Sequence, residues 1–422
     1  MKKADEQLLT LQTEAPALAR CLSPLGRHIV FPQGIPFQAR QAANVPLKAT
    51  IGQVTDGEGA PLPLASMARD LGELDARRSL LYSPQPGHPD IRALWLKRQR
   101  ALAGNPDVVT STPFMTHGLT HGISLLADLF CDPYTTVVLP SPHWENYDLL
   151  FTLRARARVE TFTFFAPDGS FNLDGLADAL AAVDGKALLV LNFPANPTGW
   201  SPTPQQADAI VARVAAHAGP LMVVCDDAYQ GVVHEPDLLD HSIFWRLASH
   251  LDPERASVVK VDGATKEMLF FAARIGFLTF AVPPGAEEVL TDKLNALVRG
   301  SIGSPPGPSQ ELLRRALQRD ATRQEFSDVL STITGRYQTL KRALANTSDA
   351  LRPLPFNSAY FALIGLREGL DADALRRRLI AERGVGTIAV PEMNALRVAY
   401  CSTTPEALEH IIQAMDELAQ EG

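Results

Sequence analysis

Short apolar segments recur through the middle of the chain, and stretches with helical periodicity separate them. The clearest of these segments cover residues 136–139, 159–164, 187–191, 221–225, 258–261 and 277–280. They are apolar at consecutive positions and rich in β-branched residues, which predicts strands that are buried on both faces. Strands of this kind that alternate with helices are typical of a mostly parallel sheet with helices on both sides. The pattern therefore predicts an α/β domain.

The pattern changes near residue 308, where longer helical segments begin. Helical periodicity covers residues 310–344, 371–382 and 405–418, and apolar strand patterns cover 359–364 and 396–400. We expect a smaller α+β domain here, because 422 residues exceed what one hydrophobic core usually contains. The predicted division is residues 1–62 for an N-terminal arm and part of the small domain, 63–308 for the large domain and 309–422 for the small C-terminal domain.

Composition and charge exclude several classes of protein. A formal net charge of −8 argues against a nucleic-acid-binding surface, which needs a basic face. No apolar run reaches the roughly 18 residues of a membrane-spanning helix. The basic start Met1-Lys2-Lys3 is followed by polar residues rather than by the apolar part of a signal peptide. The four cysteines are widely spaced without a CxxC pair, so we expect reduced thiols, no metal site and a cytoplasmic location.

Charged residues follow the carboxyl ends of two predicted strands. Asp226 comes directly after segment 221–225, and Lys266 ends the loop Gly263-Ala264-Thr265-Lys266 after segment 258–261. Arg274 follows eight residues after the lysine. Because ligands of open α/β sheets bind beyond the carboxyl ends of the strands, these side chains are candidates for one site. Each alone has a simpler explanation, since an aspartate caps turns and a single lysine is most often solvated, as we expect for Lys260.

Two further segments complete an ordered set of motifs. Asn192-Phe193-Pro194-Ala195-Asn196-Pro197-Thr198-Gly199 lies upstream, and Tyr229 follows Asp226 by three residues. In this order the motifs resemble those of the class I aminotransferases, most closely the aspartate and aromatic aminotransferases, from about residue 47 to about residue 401. The resemblance implies an aminotransferase-like large domain and pyridoxal 5'-phosphate (PLP) as the cofactor. It also implies amino-group transfer between an L-amino acid and a 2-oxo acid, with 2-oxoglutarate and glutamate as one pair.

The resemblance gives catalytic roles to three residues. Lys266 would form the Schiff base with PLP and later move the Cα proton of the substrate. Burial and the positive charge of Arg274, which would also bind the cofactor phosphate, would lower the pKa of the lysine amine and keep it reactive. Asp226, rather than Asp227, would pair with the pyridine nitrogen and maintain the ring as an electron sink. Tyr229 would donate a hydrogen bond to the phenolic oxygen of the cofactor.

Other residues match cofactor-binding positions of the family. The segment Gly118-Leu119-Thr120 stands at the start of a predicted helix, where backbone N–H groups and a hydroxyl can bind phosphate. Trp144 would stack on the cofactor ring. Asn196 would bind the phenolic oxygen and touch the substrate carboxylate, and Tyr82 would reach the phosphate in the neighbouring subunit. These assignments follow from the resemblance, because an aromatic residue or a Gly-Thr turn alone is more often structural.

The chain departs from the family at one phosphate-binding position. Gly263 stands three residues before Lys266, where the family usually has serine. One hydroxyl contact to the phosphate is therefore missing, unless Thr265 supplies it. The departure puts phosphate affinity in doubt, but it leaves the reactive lysine in place.

Substrate binding requires side chains that pair with carboxylates. Arg397, inside segment 396–400, matches the family arginine that binds the α-carboxylate in a bidentate pair. Gly52 matches the segment that closes over the substrate. Arg299 precedes Pro305-Pro306 by six and seven residues, as does the arginine that binds the distal carboxylate in aspartate aminotransferases, although it could also simply end a helix. Arg299 and Tyr82 act in the partner's pocket in the family, so the resemblance implies a homodimer with shared active sites.

Several other functions stay open at the level of sequence. A PLP-dependent lyase or decarboxylase, or an aminotransferase specific for aromatic or other amino acids, would share the same cofactor motifs. A regulator built on this fold would carry a DNA-binding domain, for which the first 45 residues are too short and not basic enough. A nicotinamide-binding protein would need a GxGxxG motif after an early strand, which the sequence lacks. We therefore expect amino acid and 2-oxo acid substrates, with no nucleic acid and no membrane as partners.

Overall fold

The computed structural model describes residues 2–30 and 33–421 of the chain. Its strands are β1 (Leu47–Lys48), β2 (Phe114–Thr116), β3 (Thr136–Ser141), β4 (Arg158–Thr163), β5 (Ala187–Asn192), β6 (Leu221–Asp226), β7 (Ala256–Asp262), β8 (Gly276–Phe280), β9 (Leu351–Pro353), β10 (Ala362–Leu366), β11 (Val385–Gly386), β12 (Ile388–Val390) and β13 (Ala395–Val398).

The helices are α1 (Lys2–Glu14), α2 (Pro16–Cys21), α3 (Pro24–His28), α4 (Ile35–Gln41), α5 (Ala65–Asp70), α6 (Ala76–Leu80), α7 (Pro89–Leu102), α8 (Leu119–Phe130), α9 (Leu173–Ala181), α10 (Pro204–Ala215), α11 (Phe244–His250), α12 (Ala264–Glu267), α13 (Pro284–Ser301), α14 (Gly307–Leu317), α15 (Ala321–Leu344), α16 (Ala372–Arg378) and α17 (Pro405–Gln420). Short π-helical or 3-10 turns occupy Asp148–Arg154, Phe271–Ala273, Leu379–Arg383, Pro391–Met393 and Tyr400–Ser402. Within the described ranges, every helix is too short or too polar to cross a membrane.

A seven-stranded mixed sheet forms the centre of the larger part of the molecule. Its order is β2-β8-β7-β6-β5-β3-β4, and β7, β6, β5, β3 and β4 run parallel. Strand β8 is antiparallel to both of its neighbours, because the chain between 263 and 275 turns back at the carboxyl end of β7. The predicted mostly parallel sheet is confirmed. The direction of segment 277–280 could not be predicted, because an apolar pattern is the same in either direction.

Helices cover both faces of this sheet, as the consecutive apolar residues predict. On one face Leu189 and Val223 pack with residues of α9, α10 and α11. On the other face their neighbours Leu188 and Val224 pack with residues of α8 and α13. Successive residues of a strand point to opposite faces, so each apolar pair contributes to both layers.

The helices begin where the sequence supplies capping groups. Helix α10 starts at Pro204 after a capping box, in which Thr203 Oγ1 accepts from the Gln206 backbone N–H and Gln206 Oε1 accepts from the Thr203 N–H. Helix α17 likewise follows Thr404, whose side chain accepts from the Ala407 N–H. These bonds satisfy N–H groups that have no partner inside the helix, which typically stabilises a helix by about 1 kcal/mol.

A four-stranded antiparallel sheet, ordered β12-β13-β10-β9, forms the core of the smaller part. Strand β1 pairs in parallel with β11, which joins the N-terminal segment to this region. The predicted helix 310–344 is interrupted between α14 and α15, where Arg319 binds Asp70 of α5 at 2.5 Å. The smaller sheet-containing part is thus confirmed, and the boundaries after residues 62 and 308 stay predictions.

Lys260 is buried in the sheet, so the prediction of a solvated side chain was wrong. Its side chain is 1% exposed, and its ammonium group pairs with Asp262 and lies 3.4 Å from Asp227 Oδ2. Trp95 Nε1 also donates to Asp262, at 3.0 Å. Burial by itself lowers the pKa of Lys260, but the two carboxylates raise it above its usual value. The pairing explains how a charged residue occupies the middle of an apolar strand.

Replacing Lys260 with alanine should destabilise the fold strongly. The variant leaves the carboxylates of Asp262 and Asp227 buried without a cation, which typically costs about 3–5 kcal/mol. The free energy of unfolding, measured by urea denaturation, should fall by about that amount. Lys97→Ala, which changes an exposed lysine on α7, should shift it by less than about 0.5 kcal/mol. Equal stability of Lys260→Ala and wild type would contradict a charged, paired Lys260.

Candidate active site

A cavity of about 140 Å³ lies at the carboxyl edge of β5, β6 and β7. This is the place where ligands of open α/β sheets bind. Most of the residues predicted to bind the cofactor line it, together with residues of the same strands and loops: Leu119, Thr120, Trp144, Asn192, Asn196, Asp226, Ala228, Tyr229, Thr265, Lys266 and Arg274. The structure therefore brings together motifs that are more than 150 residues apart in the sequence, from 119 to 274.

Lys266 lies on α12, directly after the sheet strand β7. Its ammonium group lies 5.2 Å from the ring centre of Tyr229 and 5.8 Å from that of Phe271, and the structure gives it no ion pair within the described chain. Burial lowers the pKa of Lys266 to about 8, Arg274 contributes to the lowering, and Asp226 opposes it. Near physiological pH the neutral fraction of this amine is therefore far larger than at the usual lysine pKa, which makes it available as a nucleophile and a base.

Asp226 is the last residue of β6, and its carboxylate is held from two sides. Tyr147 Oη donates to Oδ2 at 2.6 Å, and the Ala228 N–H donates to Oδ1 at 3.1 Å. Burial raises the pKa of Asp226, whereas the hydrogen bond from Tyr147 lowers it. Asn192, which lies opposite Asp226 on β5, donates to the Asp226 backbone carbonyl at 2.7 Å. The carboxylate thus has a fixed orientation at the cavity wall.

Tyr147 and Asn192 received no role from the sequence. Tyr147 is 2% exposed and packs edge-on against Trp144, with ring centres 5.5 Å apart. Its position three residues after Trp144 places both rings on one side of a helical turn, which is the only signal the sequence contained. Asn192 had a clearer signal, because it ends a strand adjacent to the one that ends at Asp226. Both residues orient groups that line the cavity.

The other end of the cavity carries donors that suit an anion. Gly118 has a φ of 81° and precedes α8, and a Cβ at this position would lie 2.3 Å from Arg274 Nη2. Only glycine therefore lets the guanidinium approach the start of this helix. Thr120 lies in the first turn of α8, and Thr265 Oγ1 is buried with no hydrogen-bond partner among the residues that the structure describes. A guanidinium, a helix start and an unpartnered hydroxyl match the needs of a phosphate group.

The structure explains why glycine replaces serine at position 263. A Cβ on Gly263 would lie 2.4 Å from the Ile275 carbonyl oxygen and 2.8 Å from Gly276 Cα. The chain entering β8 thus occupies the space of a side chain at this position. Thr265 lines the same cavity, and its role in supplying the missing contact stays a prediction.

Arg397 lies on β13 of the smaller sheet and is 2% exposed. Its Nη1 donates to Asn196 Oδ1 at 3.2 Å and its Nη2 to the Thr50 carbonyl at 2.7 Å, and its buried Nε has no hydrogen-bond partner in residues 2–30 and 33–421. The guanidinium carbon lies 4.7 Å from the ring centre of Phe361. Burial lowers the pKa of Arg397, yet a guanidinium stays charged. Within the described residues this charge has no carboxylate partner, so it can bind one from a ligand.

Gly52 lies close to Phe361 and to Tyr229. A Cβ on Gly52 would lie 3.4 Å from the Phe361 ring and 3.6 Å from Tyr229 Oη. A side chain larger than that Cβ would project toward the hydroxyl that the sequence predicts to contact the cofactor. Tyr229 itself packs edge-on against Phe361, with ring centres 5.2 Å apart.

Tyr82 and Arg299 do not line this cavity. Tyr82 is 97% exposed, and Arg299 is exposed near the end of α13. Both were predicted to act in the active site of a neighbouring subunit, for which exposure on the isolated chain is required. Their roles stay predictions.

Comparison with known proteins agrees with this geometry. The family model for aminotransferase class I and II matches residues 46–415. The chain belongs to the class I and II aminotransferase family. The predicted PLP cofactor and amino-group transfer between an amino acid and a 2-oxo acid are thereby confirmed.

Individual aminotransferases are distant in sequence and close in fold. The cytoplasmic aspartate aminotransferase of Caenorhabditis elegans is 25% identical over 315 residues, which is 72% of this chain and 75% of that protein. An aminotransferase from Anaerococcus prevotii has a TM-score of 0.82 at 19% identity, covering 94% of this chain and 98% of its own. The α-aminoadipate aminotransferase of Thermus thermophilus, solved with N-(5'-phosphopyridoxyl)-L-leucine, has a TM-score of 0.76 at 20% identity and covers 96% and 98%.

The rate of covalent PLP attachment to the cofactor-free enzyme should depend on the protonation of Lys266. Because its pKa is lowered to about 8, the neutral, reactive fraction increases as the pH rises through about 8 and is nearly complete above it. Stopped-flow absorbance measurements of cofactor attachment should therefore show the rate levelling off above about pH 8. Lys266→Ala should show no covalent attachment. A rate that still rises steeply toward the usual lysine pKa of 10.5 would contradict a desolvated Lys266.

Proposed function

We propose that Lys266, Asp226 and Tyr229 carry out the amino transfer, and that glutamate and 2-oxoglutarate form one of the substrate pairs. The observation that supports this most is that two buried cationic side chains form no ion pair with a carboxylate of the described residues. Lys266 and Arg397 are both buried, and neither has a carboxylate in hydrogen-bond range within the described part of the chain, so one is free to react and the other to bind. Bound PLP would supply an electron sink for the electrons left on the substrate Cα when its proton departs.

Each residue of the pocket then has one task. Arg397 binds the α-carboxylate of the substrate through donors that already have a fixed orientation. Lys266 Nζ removes the proton from the substrate Cα as a general base and returns it as a general acid. Asp226, oriented by Tyr147, would pair with the pyridine nitrogen of bound PLP, and Tyr229 with Asn196 would bind its phenolic oxygen. Its phosphate would be held by Thr120, Thr265, Arg274 and the backbone from Gly118 to Leu119.

The active enzyme in this proposal is a cytoplasmic homodimer with shared sites. Tyr82 and Arg299 are exposed on the single chain, which is what a contribution to a neighbouring pocket requires. Arg299 then binds the distal carboxylate of a dicarboxylic substrate. Support comes from the relatives, because aspartate and α-aminoadipate, for which two of them are named, both carry a second carboxylate. The Caenorhabditis elegans relative is itself named as cytoplasmic.

Arg299→Ala should change the preference of the enzyme among amino acids. Loss of the guanidinium leaves the distal carboxylate of glutamate unpaired in a partly desolvated pocket, which typically costs about 2–5 kcal/mol. The kcat/KM for glutamate should fall by roughly 30-fold to several-thousand-fold, and that for phenylalanine far less. Steady-state kinetics with both substrates measure the ratio.

The matched control is Lys293→Ala, which removes another exposed cation on α13 and should leave both substrates nearly unchanged. Equal losses for glutamate and phenylalanine in Arg299→Ala would show that Arg299 is structural. A wild-type enzyme that turns over no dicarboxylic substrate would refute the glutamate and 2-oxoglutarate pair, while leaving the amino-transfer chemistry in place.

A further inference from the structure

A second cavity, of about 320 Å³, adjoins the cofactor pocket. It shares Trp144 and Asn196 with that pocket, and Arg397 also lines it. Its lining further includes Gln33, Gly34, Ile35 and Gln38, at or just before α4, and residues 388–392 around β12. A substrate whose α-carboxylate is bound by Arg397 therefore has this cavity available for its side chain.

The charges around this cavity are mostly negative. Glu145, Asp148 and Glu392 line it, and among its described lining residues Arg397 supplies the only guanidinium or ammonium group. Asp148 and Glu392 are exposed at the rim, whereas Glu145 is half-buried. Because Arg397 lies at the end where the α-carboxylate binds, the remaining part of the cavity has an excess of negative charge. Such a wall attracts a positive group and repels a second carboxylate.

Among the described residues, no cation lies within ion-pair distance of Glu145, although the charge of Arg397 reaches it electrostatically. Its Oε1 accepts a hydrogen bond from the Ile35 N–H at 3.2 Å, and no ion pair involves it. Asp148 differs, because His143 Nε2 lies 3.4 Å from its carboxylate. Burial raises the pKa of Glu145, Arg397 lowers it, and Glu392 and Asp148 raise it further. A cation next to Glu145 would offset both the cost of burying its charge and its repulsion by Glu392 and Asp148.

The carboxylate of Glu145 is held in place by the N-terminal segment. A Cβ on Gly34 would lie 1.4 Å from Glu145 Oε2, so only glycine allows the carboxylate to lie against this backbone. Helix α4 is itself attached to β12, because Gln38 Nε2 donates to the Ala389 carbonyl at 3.1 Å and the Ala389 N–H donates to Gln38 Oε1 at 2.7 Å. The carboxylate is therefore positioned before any substrate binds, which favours specific recognition.

We propose that Glu145 binds a cationic group at the end of the donor's side chain, and that the preferred donors are amino acids with an ammonium or guanidinium side chain. The α-carboxylate pairs with Arg397 and the distal cation with Glu145, so the substrate spans the cavity between two opposite charges. This inference rests on the proposed function, because it assumes that Arg397 binds the α-carboxylate. The dicarboxylic acceptor would use Arg299 of the partner subunit instead.

Substrate profiling of the PLP-loaded enzyme tests the proposal. The kcat/KM of the first half-reaction is measured for ornithine, lysine and arginine, for the neutral glutamine and methionine, and for glutamate, in wild type and Glu145→Gln. Wild type should prefer the cationic amino acids over the neutral ones. Glu145→Gln should lower kcat/KM for the cationic group roughly 10- to 100-fold, the loss expected for one charge-assisted hydrogen bond, and change the neutral group less than about 2-fold.

Binding without turnover gives an independent readout. The Kd of α-methylornithine, which has no Cα proton to lose, should rise by the same factor in Glu145→Gln, and Glu145→Asp should restore part of the affinity. Glu409→Gln, an exposed carboxylate on α17, is the matched control and should behave as wild type. Equal losses for all amino acids would overturn the proposal and show that Glu145 only holds α4. A loss for glutamate alone would overturn it in favour of a pair between Glu145 and the partner's Arg299.

Failure of the inference and failure of the proposed function give different results. A wild-type enzyme that converts neutral and anionic amino acids but not cationic ones would overturn the inference alone. If no amino acid changes the absorbance of the bound cofactor, the amino-transfer roles given to Lys266 and Arg397 are wrong, and the inference is overturned with them.

Discussion

The active site depends on the difference between two buried lysines that lie six residues apart. Lys260, in the middle of β7, is matched by the carboxylates of Asp262 and Asp227, which raise its pKa and keep it charged. Lys266, just beyond the strand, has no carboxylate in hydrogen-bond range among the residues described, and burial lowers its pKa to about 8. Lys260 can therefore only stabilise the sheet, whereas Lys266 can react. Arg397 resembles Lys266 in this respect, because it is buried and forms no ion pair with a carboxylate of the described residues.

The sheet edge and the smaller sheet supply the two halves of the chemistry. Asn192, Asp226 and Lys266 come from adjacent parallel strands or the residues after them, so their relative positions are fixed by the backbone hydrogen bonds of the sheet. Arg397 comes from β13 across the cavity and contacts the large part through Asn196. Helix α4 lines the second cavity next to Glu145. Cofactor chemistry is thus built on one rigid element, and substrate selection depends on segments from three parts of the chain.

Much of this arrangement could be predicted from the sequence, because ordered motifs follow strand ends and strand ends of a parallel sheet meet at one edge. The features that could not be predicted depend on contacts between distant segments. The antiparallel direction of β8 leaves no trace in an apolar pattern. The burial of Lys260 as a charged residue could not be predicted either, because the sequence does not show that Asp227 lies beside it. The partnership of Tyr147 with Asp226 spans 79 residues, and the acidic side-chain cavity forms only when residues near 35, 145 and 392 come together.

Chemical trapping of the cofactor tests the central claim most directly. The PLP-loaded enzyme is reduced with borohydride, digested and mapped by mass spectrometry, so that the lysine bonded to the cofactor keeps a pyridoxyl label. We expect the label on the peptide that contains Lys266 and none on Lys260, because the Lys260 amine is held charged between two carboxylates. A label on Lys260, or on any lysine outside the cavity, would show that the assignment of reactive and structural charges is wrong.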